Sequence, residues 1–424
     1  MRSEAYMRYT VALAALVGVL CLLVSAGFSG PARAIEEGDD YEVDEVVVKL
    51  DPAYRDPATG QPATIEEINA AYGTTTKEVF LRSGSIYLLA LPTGSDEEGK
   101  SLEIEGDPRV AYAEPNFIAG TPEGDARMRA RGVVDEAPST QYAQKALNLS
   151  CARKVDLGAG ARVAILDTGA QLNHPALKDN FHRTKKYDFV DDDTNPSEAA
   201  GTLRGHGTHV AGIVDLVAPK ARIMPLRVLD AEGSGNAFVI AEAVWFAQNA
   251  GADVINLSLG GPMGSELLQD VIGGAVENGV VVAAAAGNES TFAPHYPAAG
   301  GEEEGAPDGL LAVTSVDRHE KKSDFANYGP WVEVAAPGTS IRSAFPVGDY
   351  ATWSGTSMAT PFVAGQAALI EGANGSLNAA DTEALIQQSA RPLDAKNPAH
   401  AGALGAGHAD IGASLERLQP GACS

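Results

Sequence analysis

Short apolar runs separated by helical periods fill most of the chain between residues 142 and 418. Each run has the length and continuous apolar character of a strand buried on both faces. Helical patterns such as Phe238 to Ala250 and Leu267 to Glu277 lie between several of them. This alternation predicts an α/β domain with a mostly parallel sheet and helices on both faces. The predicted strands are Val163 to Leu166, Ile223 to Leu229, Val254 to Leu259, Val280 to Ala285, Leu311 to Val316 and Val332 to Ala335.

A smaller pattern between residues 41 and 118 precedes this domain. Its elements follow the order β-α-β-β-α-β, which is the ferredoxin-like split unit of small α+β modules. Residues 119 to 138 mix Gly, Pro, Arg and acidic residues without apolar periodicity, so we expect a linker there and the large domain at residues 139 to 419. The predicted strands are Glu45 to Leu50, Lys77 to Leu81, Ser85 to Leu91 and Val110 to Ala113, and the predicted helices are Ile65 to Tyr72 and Gly99 to Glu105.

The first 34 residues have the composition of a signal peptide. A basic start with Arg2 and Arg8 leads into the apolar run Val11 to Phe28, and a small-x-small cleavage motif ends at Ala34. The alternative is an uncleaved membrane anchor, because the apolar run is close to spanning length. The cleavage motif favours removal, so we expect a secreted, extracellular protein that does not contact a membrane afterwards.

The formal net charge of −25 argues against nucleic acid or an anionic membrane as a partner. Removal of residues 1 to 34 also removes Cys21 and leaves Cys151 and Cys423. An oxidising exterior permits a disulfide between them. The sequence gives no distance between the two residues, so a disulfide and two free thiols both stay open.

Three glycine-rich motifs carry an Asp, a His and a Ser in that order. They are Ala164-Ile-Leu-Asp167-Thr-Gly, Gly-His206-Gly-Thr-His209 and Gly-Thr-Ser357-Met-Ala. A Ser hydroxyl can attack an acyl carbon, a His can take its proton, and an Asp can hold the imidazole. The motif order and the G-x-S-x-A pattern differ from those of α/β-hydrolase lipases and esterases. His206 and His209 could form a metal pair, but the Glu of the H-E-x-x-H motif is absent.

In content, order and spacing these motifs resemble those of the subtilisin-like serine proteases, the subtilases. The resemblance covers nearly all of the chain after residue 34. It implies a subtilisin-like fold and a serine endopeptidase with Asp167, His206 and Ser357 as catalytic residues. It also implies that Asn288, which follows an apolar run, donates its side-chain amide to the oxyanion. A turn residue that caps the strand is the alternative reading of Asn288 alone.

The same resemblance assigns the substrate cleft. Two segments would flank an extended peptide through main-chain hydrogen bonds, and two small residues would form one wall of the S1 pocket, with Glu289 at its rim. The two segments are Gly233, Ser234, Gly235 and Ser258, Leu259, Gly260, and the S1 wall is Ala285 and Ala286.

By its position, the module at residues 41 to 118 resembles the inhibitory prodomain of subtilases. The expected partners are therefore polypeptide substrates and the chain's own prodomain, in an autoprocessed precursor that we expect to be a monomer. Two alternatives stay open: an unrelated binding module, and a non-catalytic binding protein on a retained subtilase scaffold.

We expect neither an organic cofactor nor a metal. Residues 212 to 219 lack the long loop that carries a tight calcium site in many subtilisins. The segment Asp191 to Asn195 is similar to a calcium loop, but Pro196 stands where an EF-hand loop needs Gly. Calcium is therefore possible without a clear site. The acidic insert Gly300 to Asp308 has no family counterpart.

Overall fold

The structure, a computed structural model, describes residues 40–80, 85–123, 133–134, 138–300 and 307–423. The predicted signal peptide and most of the acidic insert lie outside these residues. Among the residues described, no helix combines the length and the apolar character needed to cross a bilayer.

The N-terminal module, residues 40–120, has the predicted β-α-β-β-α-β order. Its antiparallel sheet has the strand order β2-β3-β1-β4, and buried Val46, Val48, Ile68 and Ile104 belong to its core. The last strand extends well beyond the predicted end at Ala113. The elements are β1 (Tyr41–Leu50), α1 (Ile65–Tyr72), β2 (Thr75–Val79), β3 (Ile86–Ala90), α2 (Glu97–Glu105) and β4 (Val110–Gly120).

The remaining elements follow β4 in chain order: first a two-residue strand in the predicted linker, then those of the large domain, residues 138–423. That strand, β5 (Val133–Val134), is too short to produce a periodic signal. The first elements are β5, α3 (Tyr142–Ala146), α4 (Leu149–Val155), β6 (Arg162–Asp167), β7 (Tyr187–Asp188), α5 (His206–Val217), β8 (Arg222–Arg227), β9 (Ser234–Asn236), α6 (Ala237–Asn249), β10 (Val254–Leu257) and α7 (Glu266–Glu277). They are followed by β11 (Val281–Ala285), β12 (Leu310–Val316), β13 (Val334–Pro337), β14 (Ile341–Phe345), β15 (Asp349–Trp353), α8 (Thr356–Ala373), α9 (Ala379–Ser389) and α10 (Ile411–Leu418).

A seven-stranded parallel sheet organises the large domain, in the order β13-β12-β11-β10-β6-β8-β7. Its central strands are continuous apolar runs because helices cover both faces. α5 and α8 pack together, as do α6 and α7. The six predicted strands and the α/β fold are confirmed. Asp167 ends β6, and Asn288 follows β11 closely, so both lie at the carboxyl edge, where open α/β sheets place their sites.

Cys151 and Cys423 are joined by a disulfide, with their Cα atoms 4.9 Å apart. Packing of α4 against α10 brings them together. The bond closes a loop across a sequence separation of 272, for which the chain-entropy model gives roughly 5 kcal/mol of stabilisation. The sequence left both a disulfide and two free thiols open, and the structure has the disulfide.

Side chains of β4 cap two helices of the large domain. The Glu114 carboxylate accepts hydrogen bonds from Ser265 Oγ (2.7 Å), Glu266 N (2.7 Å) and Leu267 N (3.1 Å) at the start of α7. Asn116 Oδ1 accepts one from Phe238 N (3.1 Å) at the start of α6. These backbone N–H groups have no partner within their own helices. The contacts therefore dock the N-terminal module by satisfying donors that the large domain leaves open.

We expect Glu114→Gln to change how stability depends on pH. Burial raises the pKa of Glu114 from 4.5 to about 7, against the effect of its hydrogen bonds. A raised folded-state pKa gives stabilisation that is complete below 4.5 and is lost as the pH rises through 7. The free energy of unfolding of the parent should therefore fall relative to that of the Gln variant, by up to about 1.4 kcal/mol per pH unit.

Denaturant unfolding of full-length chains that carry Ser357→Ala, measured between pH 4 and pH 8, checks this. A parent chain that gained stability over the Gln variant as the pH rose would contradict it.

Candidate active site

Asp167 and His206 meet at the carboxyl edge of the large sheet. Asp167 is the last residue of β6, and His206 is the first residue of α5. His206 Nδ1 lies 2.7 Å from Asp167 Oδ1, and both side chains are buried. The same Asp167 oxygen accepts a hydrogen bond from Thr168 N (2.7 Å), which fixes the carboxylate. This contact places the proton of a neutral imidazole on Nδ1 and leaves Nε2 to act as a base.

Opposing effects act on the pKa of His206. Burial alone lowers it, because an apolar interior disfavours the charged imidazolium. The negative charges and hydrogen bonds of Asp167 and Glu123 outweigh burial, and the net pKa is raised. The site therefore stabilises a protonated His206, which is the state that follows proton abstraction.

Ser357 lies in the first turn of α8, whose N-terminal N–H groups favour nearby negative charge. Its Oγ lies 3.3 Å from the Ser258 carbonyl oxygen. The Ser258 hydroxyl in turn donates to the Ser357 carbonyl oxygen (3.0 Å). Ser357 is thus held between the start of its own helix and the segment that follows β10.

The amide of Asn288 has a defined orientation. Its Oδ1 accepts hydrogen bonds from Thr356 N (2.9 Å) and Thr356 Oγ1 (3.0 Å). Because the oxygen is used in this way, the Nδ2 donor points to the opposite side. There it donates to Glu123 Oε1 at 3.0 Å. Asn288 therefore both caps α8 and directs a donor at the place where Ser357 and His206 meet.

The carboxylate of Glu123 lies at the centre of this cluster. Its Oε2 accepts a hydrogen bond from Ser357 Oγ (2.8 Å) and lies 3.1 Å from His206 Nε2. Its Oε1 lies against Gly355, where a Cβ would stand only 1.9 Å away. Sequence reasoning missed Glu123, because one Glu in a predicted linker carries no motif. Its nearness to the end of the N-terminal module was the one available signal.

The segment that leads to Glu123 forms a strand between two segments of the large domain. β4 pairs antiparallel with β9, so that Ala119 is opposite Gly235 and Gly120 is opposite Ser234. On the other side, Gly120 and Gly260 exchange two backbone hydrogen bonds of 2.9 Å. Thr121 N then donates to the Gly233 carbonyl oxygen (2.9 Å). The two predicted substrate segments therefore flank one extended chain.

The other sequence-predicted site residues lie around this strand. Leu259 is buried between Ser258 and Gly260, and Ala285 and Ala286 are buried at the end of β11. His209 packs in the interior: it stacks on Trp353, and its Nε2 lies 3.1 Å from the Ala351 carbonyl oxygen. Burial lowers the pKa of His209 to about 3, so the ring is neutral.

The acidic loop at residues 188–195 does not present a set of calcium ligands. Arg227 Nη1 lies 2.9 Å from Asp188 Oδ2 and 2.5 Å from Asp191 Oδ2. One guanidinium therefore pairs with two carboxylates whose oxygens a calcium ion would need. In the described part of the chain, the one group of His, Cys, Asp or Glu close enough to share a metal is Cys151, Glu416 and Cys423, and its sulfurs form the disulfide.

Comparison with known families identifies both parts of the chain. Residues 158–407 match the subtilase family, and residues 30–116 match the fervidolysin N-terminal prodomain. Thermitase from Thermoactinomyces vulgaris is 42% identical over 262 residues, which are 59% of this chain and 88% of thermitase. Subtilisin NAT from Bacillus subtilis subsp. natto is 35% identical over 302 residues, which are 67% of this chain and 71% of that protein.

Solved structures show the same likeness. A structure of proteases from Pseudoalteromonas arctica superposes with a TM-score of 0.56 at 30% sequence identity. The superposition covers 64% of this chain and 94% of that chain.

Proposed function

The chain belongs to the subtilase family and is a serine endopeptidase, and we propose that it is secreted as a precursor that its own N-terminal module inhibits. In this proposal Asp167, His206 and Ser357 form the catalytic triad, and Asn288 is the oxyanion donor. Residues 1 to 34 are the signal peptide, and residues 41 to 118 are the core of the prodomain.

The observation that carries the proposal is the position of the Glu123 carboxylate. Ser357 Oγ, His206 Nε2 and Asn288 Nδ2 all lie within 3.1 Å of its two oxygens. Acyl transfer needs a nucleophile, a base and an oxyanion donor around one carbon atom. These three groups surround the carboxyl carbon of Glu123. This supports a position for the scissile carbonyl carbon of a substrate where the Glu123 carboxyl carbon now lies.

The geometry supports the following steps. Ser357 Oγ attacks the carbonyl carbon while His206 Nε2 takes its proton, and Asp167 stabilises the imidazolium. The negative oxygen that forms is stabilised by Asn288 Nδ2 and the backbone N–H of Ser357. His206 then gives its proton to the departing amine, and water releases the acyl group by the same route.

The cleft favours polypeptide substrates. Its contacts with the strand at residues 118–121 are made by backbone groups of β9 and of residues 233 and 260. Main-chain pairing accepts many sequences, and side-chain pockets supply the preference. A peptide substrate must displace the N-terminal module to use this cleft, which supports an inhibitory role for the module. The net charge of −25 suits a soluble exported protein.

We expect Ser357→Ala to abolish peptide hydrolysis and to leave the full-length chain uncut, because self-cleavage needs the same nucleophile. His206→Ala should lose a comparable amount of activity, since triad members act as a unit. A fluorogenic peptide assay, gel analysis of the purified precursor and labelling with a fluorophosphonate probe measure these effects. Probe labelling that survives Ser357→Ala would refute the assignment, and an unlabelled parent that has lost its prodomain would favour a non-catalytic binding protein.

Asn288→Ala should lower kcat by about 10²–10³ with little change in KM, because its amide acts on charge that develops in the transition state. A loss of this size follows removal of the corresponding donor in a subtilisin. Steady-state kinetics separate the two constants. A large rise in KM with kcat unchanged would assign Asn288 to substrate binding instead.

The Glu123 carboxylate should contribute strongly to inhibition by the prodomain. We expect residues 40–123, added to the mature large domain, to inhibit competitively, and Glu123→Ala to raise the inhibition constant about 10- to 100-fold. Hydrogen bonds to a charged group of this kind are worth about 1.5–3 kcal/mol each. Glu98→Gln, an exposed change on α2, is the matched control. Equal inhibition by the parent and Glu123→Ala modules would show that main-chain pairing alone blocks the cleft.

A further inference from the structure

The helix that carries His206 begins without a capping side chain of its own. Its N-cap residue is Gly205, at φ 100°, so no side-chain oxygen is available at the usual position. The first N–H groups of α5 must therefore find acceptors elsewhere. Gly207 N donates to Thr168 Oγ1 (3.1 Å), and His206 N donates to the Leu203 carbonyl oxygen (3.1 Å).

Glu198, in the loop that precedes α5, supplies the remaining acceptors. One oxygen accepts hydrogen bonds from Thr208 N and Thr208 Oγ1, both at 2.8 Å, and the other accepts one from Gly205 N. Three donors at the start of the His206 helix therefore end on one carboxylate.

The loop that carries Glu198 also contacts the turn that follows Asp167. Ala170 N donates to the Pro196 carbonyl oxygen (2.9 Å). Gly169, at φ 102°, lies so close that a Cβ there would stand 2.8 Å from the same oxygen. The loop thus packs against both elements whose ends form the Asp167–His206 pair.

We propose that Glu198 is a positioning residue for catalysis: its carboxylate fixes the first turn of α5 and so holds His206 against Asp167. The inference rests on the proposed function of His206 as the general base. The mechanism above does not use Glu198, and Glu198 acts on the reaction through His206 rather than on the substrate.

The ionisation state of Glu198 also affects how well it holds the first turn of α5. Burial raises the pKa of Glu198 to about 7, although its hydrogen bonds act in the opposite direction, and the charge of Asp167 raises it further. The charged or titratable groups around the carboxylate are Asp167 at the end of β6, His206 on α5, and Arg204, which lines the same cavity. The ionised form accepts all three donors, whereas the protonated form turns one oxygen into a donor.

A cavity of about 380 Å³ beside Glu198 gives the carboxylate access to solvent protons. Gln171, Asn195, Arg204 and Pro346 are among the residues that line it. Glu198 can therefore change its protonation state in the folded enzyme. Its ionised form interacts with the charge of Asp167, and a negative charge beside the Asp167–His206 pair favours the imidazolium form of His206.

The test compares Glu198→Gln and Glu198→Asp with the parent in the mature enzyme. Glu198→Gln keeps the shape but loses the charge and one acceptor. It should lower kcat about 10- to 100-fold, the range for a small misplacement of a reacting group, and change KM less than twofold. The acid limb of kcat/KM should move to lower pH. Glu198→Asp keeps the charge but shortens the reach, so it should lower kcat and leave the acid limb in place.

Two controls make the result specific. Glu277→Gln, an exposed change on α7, should leave kcat and the pH profile unchanged. Ser357→Ala in the same assay tests the proposed function separately, because residual activity in that variant would remove the premise and not the role of Glu198.

A folded Glu198→Gln enzyme with the parent's kcat and acid limb would overturn the proposal, even if its melting temperature fell. If Glu198→Gln does not fold, Thr208→Val decides the matter, because it removes the hydroxyl donor to the same carboxylate. We expect Thr208→Val to lower kcat several-fold and to show less than an additive effect when combined with Glu198→Asp. An unchanged kcat in Thr208→Val would count against the proposal.

Discussion

The need to satisfy free N–H groups at helix N-termini determines how this site is built. Four helices begin near the cleft, and each leaves donors that its own backbone cannot pair. Asn288 Oδ1 accepts from the start of α8, and the Glu198 carboxylate accepts from the start of α5. Asn116 and Glu114 of the prodomain accept from α6 and α7. Capping therefore links the proposed catalytic residues to their supporting loops and to the prodomain.

Carboxylates that cap these helices lose contact with solvent, and this changes their pKa. Glu114 and Glu198 both accept hydrogen bonds from donors at helix N-termini, and burial raises the pKa of each to about 7. Each would lose part of its capping capacity on protonation, since a carboxylic acid has one oxygen that donates. Glu114 lies at the contact between prodomain and peptidase, and Glu198 lies behind His206, the proposed general base.

The sequence predicted what depends on local pattern and motif. The strands of the parallel sheet are apolar runs buried on both faces, and α1 was predicted at its observed bounds. The structure brings Asp167, His206, Ser357 and Asn288 together, although their catalytic roles stay predictions. Glu123 and Glu198 could not be found in this way. Both lie in irregular segments and carry no motif. The partners of Glu123 are side chains far along the chain, whereas those of Glu198 are donors at the start of α5 that only the folded backbone identifies.

The Glu123 contact also bears on the roles proposed for Ser357, His206 and Asn288. In the full-length chain, one carboxylate accepts from Ser357 and Asn288 and lies against His206, so polar groups that line a largely buried cleft are paired. Without the prodomain, water would contact Ser357, His206 and Asn288 instead, and water interacts with these groups less favourably than a fixed anion does. A transition state with a negative oxygen again places an anion at this position. The oxygen of a ground-state carbonyl is neutral overall and carries only a partial negative charge. In the proposed mechanism, the features that let Glu123 bind therefore favour the transition state over the substrate, which is the condition for catalysis.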